Sequence, residues 1–154
     1  MIKIGIFDKD KIEAVKELLL SLITNQLIDI LDALNQPSDI LIVNKIPPEN
    51  DISPEHLSTK IVIANSDDRH VLQFVSSINA QIITYGLNSK AAVTASSHVD
   101  DDCYVICVQR AMATIFDTPI LPREFSISIK GRKGFDGSIM GAVATALICG
   151  VNFE

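Results

Sequence analysis

The stretch Lys60-Ile-Val-Ile-Ala-Asn-Ser-Asp-Asp-Arg-His-Val-Leu-Gln-Phe-Val-Ser-Ser-Ile-Asn-Ala-Gln-Ile-Ile-Thr-Tyr85 decides the fold. Lys60 to Ala64 is an apolar run of strand length. Asp67 or Asp68 is placed to cap a helix from about His70 to Ile78, because a carboxylate accepts from the orphan N–H groups of a first turn. Gln81 to Tyr85 is a strand again. Strand, helix, strand in this spacing is a parallel crossover unit.

Working outward, Ile2 to Phe7 is a first apolar strand. Ile12, Val15, Leu18, Leu19 and Ile23 then recur at helical spacing, predicting a helix that runs to the mid-thirties with a weak point near Thr24 and Asn25. Pro37 and Ser38 end it, and Asp39 to Val43 form a second buried strand. Pro47, Pro48 and Pro54 mark a loop with a helical turn near Glu55 and His56. Beyond Tyr85 the pattern changes. Ala92 to Val99, Cys103 to Arg110 and Glu124 to Lys130 predict antiparallel strands, the first two joined at Asp100 to Asp102. A final helix is expected from Gly137 to Cys149, closed by Gly150. The fold class is therefore α/β: a mostly parallel sheet with flanking helices and a C-terminal antiparallel hairpin region, expected as one domain over residues 1–154.

Thirteen basic against 19 acidic side chains leave a net charge of −6. That balance argues against a nucleic-acid partner or an anionic membrane surface. No apolar stretch long enough to span a membrane and no leader pattern is read, so the cytoplasm is the expected location. Cys103, Cys107 and Cys149 form no CxxC pair and are expected as buried core thiols in a reducing compartment. Cys103 and Cys107 share a strand face, but at about 3.3 Å per residue they lie roughly 13 Å apart.

From Lys60 onward the order of landmarks resembles the central ATP-binding domain of the Mur ligases and folylpolyglutamate synthetases. That family ends a strand in Asn-x-Asp-Asp; here the chain reads Ile61-Val-Ile-Ala-Asn65-Ser66-Asp67-Asp68. A strand ending in Tyr/Phe-Gly and a polar turn follow, here Ile82-Ile-Thr-Tyr85-Gly86-Leu87-Asn88-Ser89-Lys90 leading into Ala91 to Ala95. A Gly-Arg loop and an Ala-rich helix close the series, here Gly131-Arg132-Lys133-Gly134, Ala142 to Leu147 and Cys149-Gly150-Val151. The resemblance implies a nucleotide-binding scaffold.

The departures imply that its reaction is lost. Where the family has Gly-Thr-Asn-Gly-Lys-Thr after its first strand, this chain has Phe7-Asp8-Lys9-Asp10-Lys11. A phosphate cradle needs glycines for converging backbone N–H groups, plus a lysine and a hydroxyl for phosphate and magnesium. Two acidic residues repel a triphosphate instead. Lys133, Gly134 and Gly137 replace the side chains that the family lays against adenine. The stretch between the first helix and Asp39 is far shorter than the family's, and its amino-acid-binding domain has no counterpart in these 154 residues. The resemblance therefore implies no ATP-dependent ligation, no cofactor and no catalytic residue.

Candidate ligand or anion contacts are Asn65, Asp67, Asp68, Tyr85, Asn88, Arg132 and Lys133. The first five sit at strand C-terminal ends, where open α/β sheets bind ligands; the plainer reading is a helix cap and a strand-end turn. His70 is an adjoining helix-start histidine, read as surface. Lys130, Arg132 and Lys133, interleaved with Gly131 and Gly134 before a helix, suit an anion; the alternative is a basic turn. His98 with Asp100, Asp101 and Asp102 has metal-ligand residue types, but adjacent side chains of one tight turn point apart, which favours a solvated hairpin tip.

The leading expectation is a non-catalytic Mur ligase-like binding, regulatory or structural module linked to cell-wall metabolism, with a protein partner or self-association. The rival is a small-molecule or anion site, enzymatic or not, rebuilt at the strand ends. A third expectation is a homodimer that buries the Ile139 to Leu147 helix face.

Overall fold

A computed structural model describes residues 1–8, 11–32, 34–47, 50–100, 103–129 and 137–153, the side chains of 96–100 excepted. The elements are β1 (Ile2–Phe7), α1 (Ile12–Leu22), β2 (Ile28–Ile30), β3 (Ser38–Val43), a 3-10 turn (Pro54–His56), β4 (Thr59–Asn65), α2 (Arg69–Val75) and β5 (Gln81–Tyr85). They continue with β6 (Val93–Asp100), β7 (Cys103–Val108), β8 (Met112–Ala113), β9 (Pro119–Ile120), β10 (Arg123–Ser128) and α3 (Gly137–Ile148). An eight-stranded sheet runs β10-β7-β6-β5-β4-β3-β1-β2, and β8 with β9 forms a separate small ribbon.

Strands β1 to β6 are parallel neighbours, although β5 and β6 meet through one pair, Tyr85 with Val93. β7 and β10 are antiparallel additions. The sequence predicts this division. Central strands β3 and β4 carry continuous apolar runs that are buried on both faces, whereas β10 alternates exposed and buried residues.

One face of the sheet packs against α1 and α3 and holds the larger core, including Ile4, Ile42, Ile63, Tyr85 and Tyr104. The other carries α2 over Leu41, Val62 and Ala64. The chain moves from β1 to β2 in one direction and from β3 through β5 in the other. Crossovers of constant hand then place α1 and α2 on opposite faces.

Three expectations are corrected. The first helix does not reach the mid-thirties; it stops at Leu22, Ile23 turns to an extended conformation, and Ile28–Ile30 becomes an edge strand beside β1. Within it Ile28 and Ile30 are half-buried and Asp29 between them is exposed, and pairing with Ile2 to Ile4 outweighs the residual helical spacing. Cys103 and Cys107 are half-buried rather than core, because they lie on the face of β7 opposite Tyr104 and Ile106; Cys149 alone is fully buried. The Ile139 to Leu147 face is not available to a second copy, because every residue from Ser138 to Ile148 is already buried within the chain. The ribbon β8–β9 was not anticipated.

The last helix ends as its sequence predicts. Gly150 adopts φ 90°, its N–H bonds to Leu147 O and the Val151 N–H to Ala146 O, both at 3.0 Å. This double closure needs a residue that tolerates the left-handed region, which glycine does without a Cβ clash.

Candidate functional site

The point where the strand order reverses lies between β1 and β3, and in open α/β sheets ligands bind in the crevice at such a point, outside the strand C-terminal ends. The residues that end neighbouring strands form a lateral row there. Phe7 is in register with Val43, Val43 with Ala64, and Asn65 with Tyr85. Asp8, Asn44, Asn65 and Tyr85 therefore stand side by side on the α3 face of the sheet.

Asn44 is the hub of this row. Its Nδ2 donates to Asp8 Oδ2 at 3.0 Å and lies 3.4 Å from Ser138 Oγ. Its Oδ1 accepts from the Tyr85 hydroxyl at 2.7 Å and from Asn65 Nδ2 at 3.3 Å. Asn65 Nδ2 also donates to Asn44 O at 3.1 Å. The Ser138 hydroxyl donates to Asp8 Oδ2 at 3.4 Å. Asp8 and Asn44 are only 3% and 4% exposed, so the row is a buried polar network in a sheet that is otherwise apolar. Among the described residues no buried side-chain nitrogen or oxygen lacks a partner.

Close packing explains two glycines. A Cβ on Gly137 would stand 2.6 Å from Asn44 Oδ1, and one on Gly141 would meet the Tyr85 ring at 3.0 Å. Glycine at both positions lets the first turn of α3 settle onto the row. Asp8 thus lies beside the N-terminus of α3, where the macrodipole favours a negative charge.

A second cluster knits the loops above. Asp67 Oδ2 accepts from Leu87 N at 2.7 Å, while Oδ1 accepts from Asn88 Nδ2 at 2.7 Å and Asn88 N at 3.3 Å. Asn88 Nδ2 also reaches Ser66 Oγ at 2.8 Å. Gly86 makes room for this turn, since a Cβ there would lie 2.7 Å from Asp67 Oδ1. Asp68 caps α2 through His70 N at 2.9 Å and Val71 N at 3.4 Å.

The structure therefore brings Asn65 and Tyr85 into the buried row, and Asp67 with Asn88 into the strand-end turn. Asp68 serves the helix cap. Lys130, Arg132 and Lys133 lie outside the described residues, as do Asp101, Asp102 and the side chains of His98 and Asp100. Sequence reasoning missed Asn44 and Ser138 and read Asp8 only as a repulsive charge. A signal existed: Asp8, Asn44 and Asn65 each follow an apolar strand run as its first polar residue. Among the described residues, no helix is long and apolar enough to cross a membrane. No protein-family model matches the sequence, and the search of curated proteins finds no match either.

Proposed function

We propose that this chain is a non-catalytic relative of the Mur ligase central domain, a binding or structural module that has given up nucleotide chemistry. One observation carries the reading: the carboxylate of Asp8, 3% exposed, occupies the switch-point crevice beside the α3 N-terminus and is bonded by Asn44 and Ser138. A phosphate-binding loop would offer backbone donors at this place. Here the protein supplies the anion itself. A phosphate charge brought within ~4 Å of that carboxylate meets a repulsion of about 4 kcal/mol at the effective dielectric near a protein surface. That is enough to cancel the gain from a lysine contact of the same geometry.

The rival reading, a small-molecule site rebuilt at the strand ends, draws on Asn65, Asp67, Tyr85, Asn88 and Lys133, the last of which lies outside the described residues. Asn65 and Tyr85 bond to Asn44, Asn88 bonds to Ser66 and Asp67, Asp68 accepts from the α2 backbone, and both Asp67 oxygens are engaged in the turn. This favours a scaffold role for the loops. The module then works through its outer surface, on a protein partner or a second copy. Titration calorimetry with ATP and magnesium tests the proposal. No saturable heat is expected up to millimolar nucleotide, and micromolar binding would overturn it.

A further inference from the structure

At the opposite edge of the sheet, the C-terminal end of α3 meets the β8–β9 ribbon and the start of β10 around a cavity of about 300 Å³. That volume is at the lower end of the roughly 300–1,000 Å³ that small-ligand sites span. The floor is apolar, built from Leu147 and Ile120, with half-buried Val151 beside them and Leu121, 67% exposed, as a wall.

Arg123 stands at the rim. Its guanidinium donates to Asn152 Oδ1 at 3.4 Å and lies 5.1 Å from the centroid of the Phe125 ring. Phe125 in turn stacks on Phe153 with centroids 4.9 Å apart. These contacts place the cation without neutralising it, and Arg123 has no carboxylate partner among the described residues. In a chain of net charge −6, an arginine held over a cavity with no carboxylate partner among the described residues is suited to seat an anion. The end of a helix would by itself disfavour an anion. Here its carbonyls are already engaged: Leu147 O by Gly150, Ala146 O by Val151, and Ile148 O by Ile115 N at 2.8 Å.

We propose that this cavity binds a small aliphatic carboxylate, with the acid group on Arg123 and the hydrocarbon tail over Leu147, Ile120 and Val151. The proposal does not depend on the fate of the nucleotide site. A cavity this small, with one cation and an apolar floor, suits a short free acid. The test titrates hexanoate into the full chain labelled with ¹⁵N and follows the amide signals of Leu121, Gly150, Val151 and Asn152. Saturable shifts confined to this group are expected, with hexanol producing none. Arg123→Gln should weaken hexanoate about tenfold or more, as loss of a charge-assisted bond does. Arg123 is exposed, and a circular-dichroism melt checks that the variant folds; the hexanol comparison on the unaltered protein stands regardless. Absence of shifts, equal binding of hexanol, unchanged affinity in Arg123→Gln, or binding only of a peptide ending in leucine would overturn the proposal.

Discussion

Replacing Asn44 tests whether the strand-end row holds the sheet together. Its amide makes two bonds of particular weight, to the Asp8 carboxylate at 3.0 Å and from the Tyr85 hydroxyl at 2.7 Å. A bond to a charged group contributes about 1.5–3 kcal/mol net and a neutral one about 0.5–1.5 kcal/mol, so Asn44→Ala should lose about 2–4.5 kcal/mol. Domains are stable by about 5–15 kcal/mol, so the variant remains folded and measurable. Urea unfolding followed by circular dichroism at pH 7 reads the loss directly. Asn44→Asp adds a sharper signature. It sets two carboxyl groups at the distance of the present 3.0 Å bond, where like charges cannot comfortably coexist. One proton held between them in the folded state relieves that repulsion. The folded state then binds more protons than the unfolded one, and stability falls as pH rises above about 4, the ordinary carboxyl range. The deficit of Asn44→Asp should thus shrink between pH 7 and pH 5 while that of Asn44→Ala stays level. A loss below about 0.5 kcal/mol for Asn44→Ala, the size of an ordinary surface change, would refute the reasoning, as would a pH-independent deficit for Asn44→Asp.

Asp68→Ala removes the cap of a seven-residue helix and should cost about 1 kcal/mol in the same unfolding assay. Burial alone would raise the Asp39 carboxyl, yet its bond from Lys3 N at 2.8 Å and the Lys60 ammonium at 3.2 Å hold it below the ordinary value. Its stabilising contribution is therefore complete above about pH 4 and lost as pH falls through the lowered folded value. Asp39→Asn should be the less stable at pH 7, by under about 1 kcal/mol because Lys60 is well exposed, with the gap closing below pH 4. Burial pushes the Cys149 thiol up to about 12, with the Asp39 charge adding to it. At pH 8 iodoacetamide should label Cys103 and Cys107 while Cys149 reacts only on unfolding, which peptide mass mapping will show.

The order of most elements, and the change from parallel to antiparallel pairing, were legible in the chain before any tertiary contact was considered. Each rests on a local pattern: continuous apolar runs in β3 and β4, the cap at Asp68, and the glycine that closes α3. Helical spacing from Ile12 to Ile23 correctly located α1 but not its end, since β2 exists only through its pairing with β1. Cys103 and Cys107 were legible as sharing a face, but which face meets the helices depends on how the whole sheet packs. The site divided in the same way. Asn65, Asp67, Tyr85 and Asn88 were visible as strand-end polar residues, whereas Asp8, Asn44 and Ser138 became a unit only in three dimensions. They lie 36 and 94 positions from one another along the chain. Strand register places Asp8 beside Asn44, and close packing at Gly137 sets α3 against them. No local stretch of the chain encodes that meeting, because it arises from the lateral order of strands and the descent of the last helix onto their ends.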